Sequence, residues 1–410
     1  MKVNVLAFAS PLHPEREWRR RLEEALSSLR EAGLKFEDVR VVTSRGVAAQ
    51  ATSAIVSGVK GTIGIILTGG TSKIAAMALK DCVKPLVLVA LHEHNALPSA
   101  LETTAMLRRE LCPRLTFIEG ESWAQGIAEY LRRASERRQQ LKSKLALFGG
   151  APTLGLNEAG FDDLNSKLGV KVVEEELKEM AAEMKRVRNE QVLKVATKLG
   201  CVEERVKEPI RLYLASKRIL DREGYDGALY NCFSLLHELR TTPCLANSLL
   251  NDEGYVAVCE AEVQSTAASL IATKLLKAKF FISNISAVSS SEIILAHCTA
   301  PISMGRSVEF KDHFESGLPV SLDVELSKEP VTLFNLNKDL AELFVVKGAI
   351  VESRLNLERM CRTQVKVKVE GVSEVLRNVP GGHLVLVYGD RVEELTRIAE
   401  ELNLSVRLYK

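Results

Sequence analysis

The chain of 410 residues has no apolar run approaching the ~20 residues that a membrane-spanning helix needs; its apolar runs, such as those at 64–67 and 85–91, are far shorter. Its first residues hold one lysine and then a short alternating segment, without the apolar stretch or small-residue cleavage site of a secretory signal, so none is expected. It has no excess of charge of either sign. Fifty-five Lys and Arg against 53 Asp and Glu leave +2, whereas a nucleic-acid surface is normally announced by a basic excess or stripe. No CxxC pair occurs among the eight cysteines, at 82, 112, 201, 232, 244, 259, 298 and 361. Structural zinc wants closely spaced thiols, and disulfide frameworks belong to small secreted chains. These cysteines therefore read as reduced, mostly buried thiols of a cytoplasmic protein. What the chain does have is 46% apolar and 26% charged residues, the balance of a packed protein long enough for two or three domains.

Periodicity divides the chain into three textures. Over 1–141 short apolar strands at 3–9, 39–43, 62–68 and 84–91 alternate with helical segments at 15–32, 48–59, 100–110 and 123–140. Near-continuous apolar strands alternating with helices predict a doubly wound parallel sheet covered on both faces. The pattern restarts over 142–302, with strands at 145–148, 170–173, 228–232, 255–259, 279–283 and 293–296 around a long charged helical stretch at 174–222. From 303 to 410 alternating strands at 320–325, 331–336, 343–352 and 365–369 dominate, with one late helix at 393–402. The expected fold class is α/β: two doubly wound parallel-sheet domains followed by a smaller β-rich C-terminal domain.

In open parallel sheets, ligands bind beyond the carboxyl ends of the strands. In the second domain three successive strands deliver Glu260, Asn284 and His297 at those ends. A carboxylate, an amide and an imidazole together suit a divalent metal. Glu262 either shares a face with Glu260, if the strand continues, or occupies the first turn of a helix, where negative charge is favoured. His383 follows Pro380-Gly381-Gly382 and opens a buried strand; by itself it reads as a structural histidine. His92, His94 and Asn95 follow a first-domain strand and suit either a metal or a polar lid over a small substrate. His13, His237 and His313 carry no comparable signal. The glycine turns at 69–71 and 149–153 are neither GxGxxG nor GxxxxGK[ST], so dinucleotide and P-loop readings are weak. Cys259 and Cys298, beside Glu260 and His297, lack a placed basic partner and read as packed thiols.

Several strings, in their order and spacing over nearly the whole chain, resemble the L-fucose isomerase and L-arabinose isomerase superfamily, especially its short fucose isomerase-like members. They are Leu67-Thr-Gly-Gly-Thr71, residues 95–102, Gly149-Gly-Ala-Pro-Thr153, Pro243-Cys244, Cys259-Glu-Ala-Glu262, Ala296-His-Cys298, His313-Phe-Glu-Ser-Gly317, Cys361-Arg-Thr-Gln364 and residues 380–390. The resemblance implies a Mn2+-dependent aldose–ketose isomerase in which acids move a proton between C1 and C2 of a sugar through an enediol. It implies Glu260 as first acid and metal ligand, position 284 as second acid and ligand, and His297 and His383 as completing the metal shell. It further implies a homotrimer or homohexamer, with His92, His94 and Asn95 touching substrate across an interface.

The chain departs from that pattern at three places. Position 284 is Asn, which can offer an amide oxygen but cannot take up a proton as a carboxylate does. Glu262 stands where Asp is frequent, and the C-terminal motif is His383-Leu384 rather than His-His. Either another acid, Glu262 or Glu292, replaces the lost one, or the reaction differs. The alternative is a non-catalytic sugar- or metabolite-binding protein on the isomerase scaffold.

Overall fold

The computed structural model describes residues 1–37, 39–53, 58–82, 85–107, 114–118, 122–151 and 160–409. Parts of the helices expected at 48–59 and 100–110, and Pro152 and Thr153 of the second glycine turn, lie outside them. The chain forms two compact units, 1–139 with 396–405, and 140–395 with 406–410.

The first unit is built on β1 (Asn4–Phe8), β2 (Arg40–Val42), β3 (Thr62–Ile66), β4 (Leu86–Ala90) and β5 (Arg114–Phe117), all parallel in the order β2-β1-β3-β4-β5. β3 and β4 are buried along their whole length, which explains their unbroken apolar composition. Helices α1 (Glu15–Glu31), α2 (Arg45–Ser53), α3 (Ser72–Leu79), α4 (Ala96–Leu107) and α5 (Trp123–Leu141) alternate with the strands. α1 buries Trp18, Leu22, Ala25, Leu26 and Leu29, an apolar stripe at helical spacing.

The second unit starts as a parallel sheet of β6 (Ser143–Phe148), β7 (Val170–Glu175), β8 (Gly227–Tyr230) and β9 (Val256–Cys259), in the order β7-β6-β8-β9. Its helices are α6 (Phe161–Leu168), α7 (Leu177–Arg186), α8 (Asn189–Lys198), α9 (Lys207–Glu223), α10 (Cys232–Glu238), α11 (Cys244–Asp252) and α12 (Val263–Leu270). The charged stretch at 174–222 is thus the end of β7 followed by α7, α8 and α9. Part of its charge is spent on ion pairs such as Lys217–Glu253 at 2.5 Å and Arg222–Glu183 at 3.2 Å.

The remaining strands are β10 (Phe281–Val288), β11 (Glu292–His297), β12 (Gly305–Asp312), β13 (Pro319–Leu326), β14 (Pro330–Leu336), β15 (Glu342–Ser353), β16 (Thr363–Val369), β17 (His383–Tyr388) and β18 (Ser405–Tyr409). Six of them run β14-β17-β10-β11-β16-β15, all antiparallel, and β15 pairs back onto β14, so the sheet closes on itself. Closure removes free sheet edges. β18 adds beside β15, and β12 with β13 forms a separate antiparallel hairpin. Inside the closed sheet lie Phe281, Leu295, Leu333, Phe344, Val365 and Leu386.

The mixed architecture follows the expectation in its parallel sheets and its β-rich end, but two strands change allegiance. The strands expected at 279–283 and 293–296 to extend the second parallel sheet are β10 and β11, which belong to the closed antiparallel sheet. A buried apolar strand has one composition in either kind of sheet. The connection decides the matter, because Ser289-Ser290-Ser291 alone joins the two, and a parallel crossover needs a dozen or more residues. α13 (Val372–Asn378), β5, β12 and β18 lack a strong enough pattern to be anticipated, whereas α14 (Val392–Leu402) matches the late helix. No described helix is long and apolar enough to cross a membrane.

β9 carries the chain to Glu260, and its pairing with β8 depends on one glycine. A Cβ on Gly227 would sit 2.0 Å from the carbonyl oxygen of Val256, its partner in the ladder. Gly227→Ala is expected to force β8 and β9 apart and destabilise the protein by about 1–3 kcal/mol or more, read as a lower midpoint in chemical denaturation; an unchanged midpoint would contradict this close approach.

Candidate functional site

At the end of β9 the backbone turns through two successive non-glycine residues in the left-handed region, Glu260 (φ 61°) and Ala261 (φ 49°). Such conformations cost on the order of 1 kcal/mol or more each and persist only where the surroundings enforce them. Glu262 then caps α12 in an extended conformation, its carbonyl accepting the Thr266 N–H at 2.9 Å. The turn projects Glu260 away from the strand, while Glu262 belongs to the helix start, the second of the two placements its sequence position allowed.

Two imidazoles from separate strands meet the Glu260 carboxylate. His297, the last residue of β11, places Nε2 3.5 Å from Glu260 Oε1. His383, the first residue of β17, places Nε2 3.7 Å from Glu260 Oε2. The imidazole centroids are 5.5 Å apart. Both histidines are buried, and Glu260 is about a third exposed. Burial pushes the Glu260 carboxyl up, but the hydrogen bond to His297 and the charges of both imidazoles outweigh it and hold it below the usual carboxylate range.

The two imidazoles differ in how they are held. His297 Nδ1 accepts the Cys298 backbone N–H at 2.9 Å and lies 3.3 Å from the Thr299 hydroxyl. In the neutral ring this assigns the proton to Nε2, aimed at Glu260. His383 is the opposite case. Its Nδ1 lies 3.4 Å from Glu262 Oε2, and its Nε2 is buried without a hydrogen-bond partner among the described residues. A histidine whose Nδ1–H is taken by a carboxylate and whose Nε2 lone pair is left open has the arrangement of a metal ligand and its outer partner. Burial lowers the affinity of His383 for a proton, but the hydrogen bond to Glu262 and the charges of Glu262 and Glu260 outweigh it and raise its pKa.

Glu262 is itself fixed. It accepts a short hydrogen bond from the Ser265 hydroxyl, and Asn335 on β14 donates to Ser265 Oγ at 3.3 Å and to the His383 carbonyl at 2.9 Å. Asn335 is fully buried. Sequence reading missed both Ser265 and Asn335. The signal for Asn335 was there: one amide inside the apolar strand Pro-Val-Thr-Leu-Phe-Asn-Leu, and a buried amide requires partners.

The donor set suits a divalent metal ion. Three ligands at about 2.1 Å in tetrahedral geometry stand about 3.4 Å apart, close to the 3.5 and 3.7 Å separations around Glu260. The orphaned His383 Nε2 and Glu260 fit such an ion directly. His297 fits through Nε2 only if its proton moves to Nδ1, where the Cys298 N–H already points; as placed, it donates to Glu260.

Asn284 lies on β10 directly opposite His383, so the two side chains share a face with Cβ atoms about 5 Å apart. Glu292 opens β11 and His297 closes it, which separates them by about 16 Å of strand. Glu292 is therefore too far to stand in for a missing acid. Cys259 and Cys298 are buried free thiols; the hydrogen bond with Cys232 and burial push the Cys259 thiol up, away from reactivity.

His92, His94 and Asn95 belong to the first unit, in the loop after β4. His92 and Asn95 are exposed, and His94 is half-buried. His94 and Asn95 both lie in the left-handed region, at φ 52° and 56°. The His94 ring stands edge-on to His13, with centroids 5.2 Å apart.

No protein-family model matches the chain, and no curated protein matches it. Among solved structures it is similar to the sugar-binding protein of a sugar ABC transporter from Bacillus halodurans, at 11% identity. That match covers 68% of this chain and 89% of the other, with a TM-score of 0.17. Likeness at that level carries nothing about what this chain binds.

Proposed function

We propose that the second unit is a metal-dependent aldose–ketose isomerase centred on Glu260, with Mn2+ as its ion and a small sugar as its substrate. The observation that carries this reading is the convergence of Glu260 and His383 Nε2, the latter unpartnered and backed by Glu262. A bound divalent ion would supply positive charge to polarise the carbonyl and stabilise the enediolate.

The chain's own groups supply the proton chemistry. Glu260, held below the usual carboxylate range, is ionised at neutral pH and can take the proton from C2. Asn284 has no proton to give, so the same carboxylate returns that proton to C1 on the same face, while the hydroxyl proton passes from O2 to O1. The His297 Nε2–H aims Glu260 Oε1, the oxygen left to work, while Oε2 faces His383. Glu262 orients His383 and does not touch substrate in this scheme, so it is a positioning residue. Asn284, beside His383, can offer an amide oxygen to the ion or to a sugar hydroxyl.

A non-catalytic sugar-binding protein is the second reading, and it is favoured because none of the positions expected to supply a second acid does so: Asn284 is an amide, Glu262 is engaged, and Glu292 is distant.

Proton exchange separates the two. Untagged protein stripped with chelator and reloaded with Mn2+ is expected to exchange the C2 hydrogen of at least one pentose, deoxyhexose or hexose with solvent, and to lose this on stripping. Glu260→Gln is expected to lower the rate by about 100-fold or more with an unchanged circular dichroism spectrum. Sugar binding without exchange across that panel would replace the isomerase by the binding protein; absence of metal uptake would remove both the ion and the isomerase.

The role of Glu262 has its own readout. In metal-free protein the His383 imidazole is expected to titrate above 6.5, followed by its ring-proton NMR shift. Its protonated form then adds stability in full below about pH 6.5, an effect lost as pH rises through the folded-state midpoint. Glu262→Gln is expected to move that midpoint down, since burial then faces one carboxylate fewer; an unmoved midpoint would show that Glu262 does not hold the ring.

A further inference from the structure

We infer that the first unit carries a separate site for a divalent transition ion of the Zn2+ class, formed by His13, Glu17 and His94. This inference does not rest on the isomerase reading. One ligand atom from each of the three lies within 4.8 Å of the others, and the two imidazoles are half-buried while Glu17 is exposed. Two imidazoles and one carboxylate are a familiar ligand set for zinc and related ions, with a fourth position left for water or an oxyanion.

The placement in the sheet argues for a built site. β1, β3 and β4 are neighbours, and the chain leaves all three at the same end. His13 lies in the turn after β1, where its N–H donates to the Ser10 carbonyl at 3.1 Å. Pro14 then caps α1, which sets Glu17 one turn beyond His13 on the same side. His94 lies after β4. Between them the loop after β3 ties the ends together: the Ser10 N–H donates to Thr68 Oγ1 at 2.7 Å, and the Gly69 N–H donates to the His94 carbonyl at 2.6 Å. The strand order β2-β1-β3-β4-β5 reverses direction of winding between β1 and β3, which opens a ligand crevice at this end.

The backbone around His94 is the second observation. His94 and Asn95 are consecutive left-handed non-glycine residues, and a Cβ on Gly69 would come within 2.9 Å of the Asn95 side chain. The glycine lets the two loops approach closely enough to bring His94 beside His13. Neighbouring Glu93 is already taken by Arg21 at 2.6 Å, so Glu17 is the carboxylate left for the pair. Bringing three donors from within 4.8 Å to the ~3.4 Å spacing of zinc ligands asks only for small side-chain rotations in an exposed loop and the first turn of a helix.

The test is Zn2+ titration of the untagged, metal-stripped full chain by calorimetry, in the parent and in a Glu260→Gln/His383→Ala background that disables the other donor set. His94→Asn is the main variant, because Asn tolerates the left-handed backbone and removes only the imidazole; His13→Gln is the second. Each is expected to lose one equivalent of Zn2+ in both backgrounds, with the same secondary structure by circular dichroism and the loss of the zinc-induced rise in Tm that belongs to that site. Co2+ in place of Zn2+ is expected to lose the corresponding visible absorption. Zinc stoichiometry equal to the parent's in both His94→Asn and His13→Gln would overturn the inference. So would failure of the Glu260→Gln/His383→Ala protein to bind any zinc while remaining folded.

Discussion

Everything in the second unit that bears on chemistry depends on a carboxylate held in a left-handed turn between two imidazoles. Glu260 and Ala261 leave β9 in a conformation that an unconstrained chain avoids. The carboxylate so presented meets groups from elsewhere in the chain: His297 at the end of β11, His383 at the start of β17, and the network of Glu262, Ser265 and Asn335 around His383. The site is therefore a junction between a parallel sheet, which supplies the carboxylate, and a closed antiparallel sheet, which supplies the imidazoles. Closed sheets resist edge slippage, and the histidines are presented on strands paired on both sides: β11 lies between β10 and β16, and β17 between β10 and β14.

That junction explains what could be read from the sequence and what could not. Glu260 and His297 were visible because each ends an apolar run and strand ends collect ligands. From its own surroundings His383 was legible only as the opening of a buried strand, and the family resemblance alone joined it to residue 260, since nothing local ties the two. The allegiance of β10 and β11 was misread because apolar content does not report strand direction; the three-serine link between them does. Glu262 was legible as a residue near the site, but its role came from tertiary structure. Its carboxylate faces the His383 Nδ1 and the Ser265 hydroxyl, and a single sequence gives no means of pairing residue 262 with residue 383.

In the first unit the same logic works at lower resolution. The alternation of strand and helix was plain, and His92, His94 and Asn95 were noticed as a group at a strand end. His13 was passed over because it stands alone after β1. Its neighbour His94 arrives from the other side of β3, and parallel topology brings together strand ends that are distant in sequence. Lone histidines at the ends of parallel strands are for that reason better judged in sets than one by one.

The donor set around Glu260 also constrains the chemistry proposed for it. One carboxylate and two imidazoles carry a single negative charge, and the amide at 284 adds none. Hard, oxygen-preferring ions lose most from the missing carboxylate, whereas ions that accept imidazole nitrogen lose less, so nitrogen-tolerant ions compete well for this site. The same scarcity divides the labour of Glu260. If one oxygen neighbours the ion beside His383, the other must receive the substrate proton. His297 reaches that other oxygen at 3.5 Å with its Nε2–H, which lowers its basicity while fixing its direction. The one-carboxylate isomerase proposed here would place two opposed demands on His297: to hold the carboxylate firmly enough to aim it and weakly enough to leave it a base.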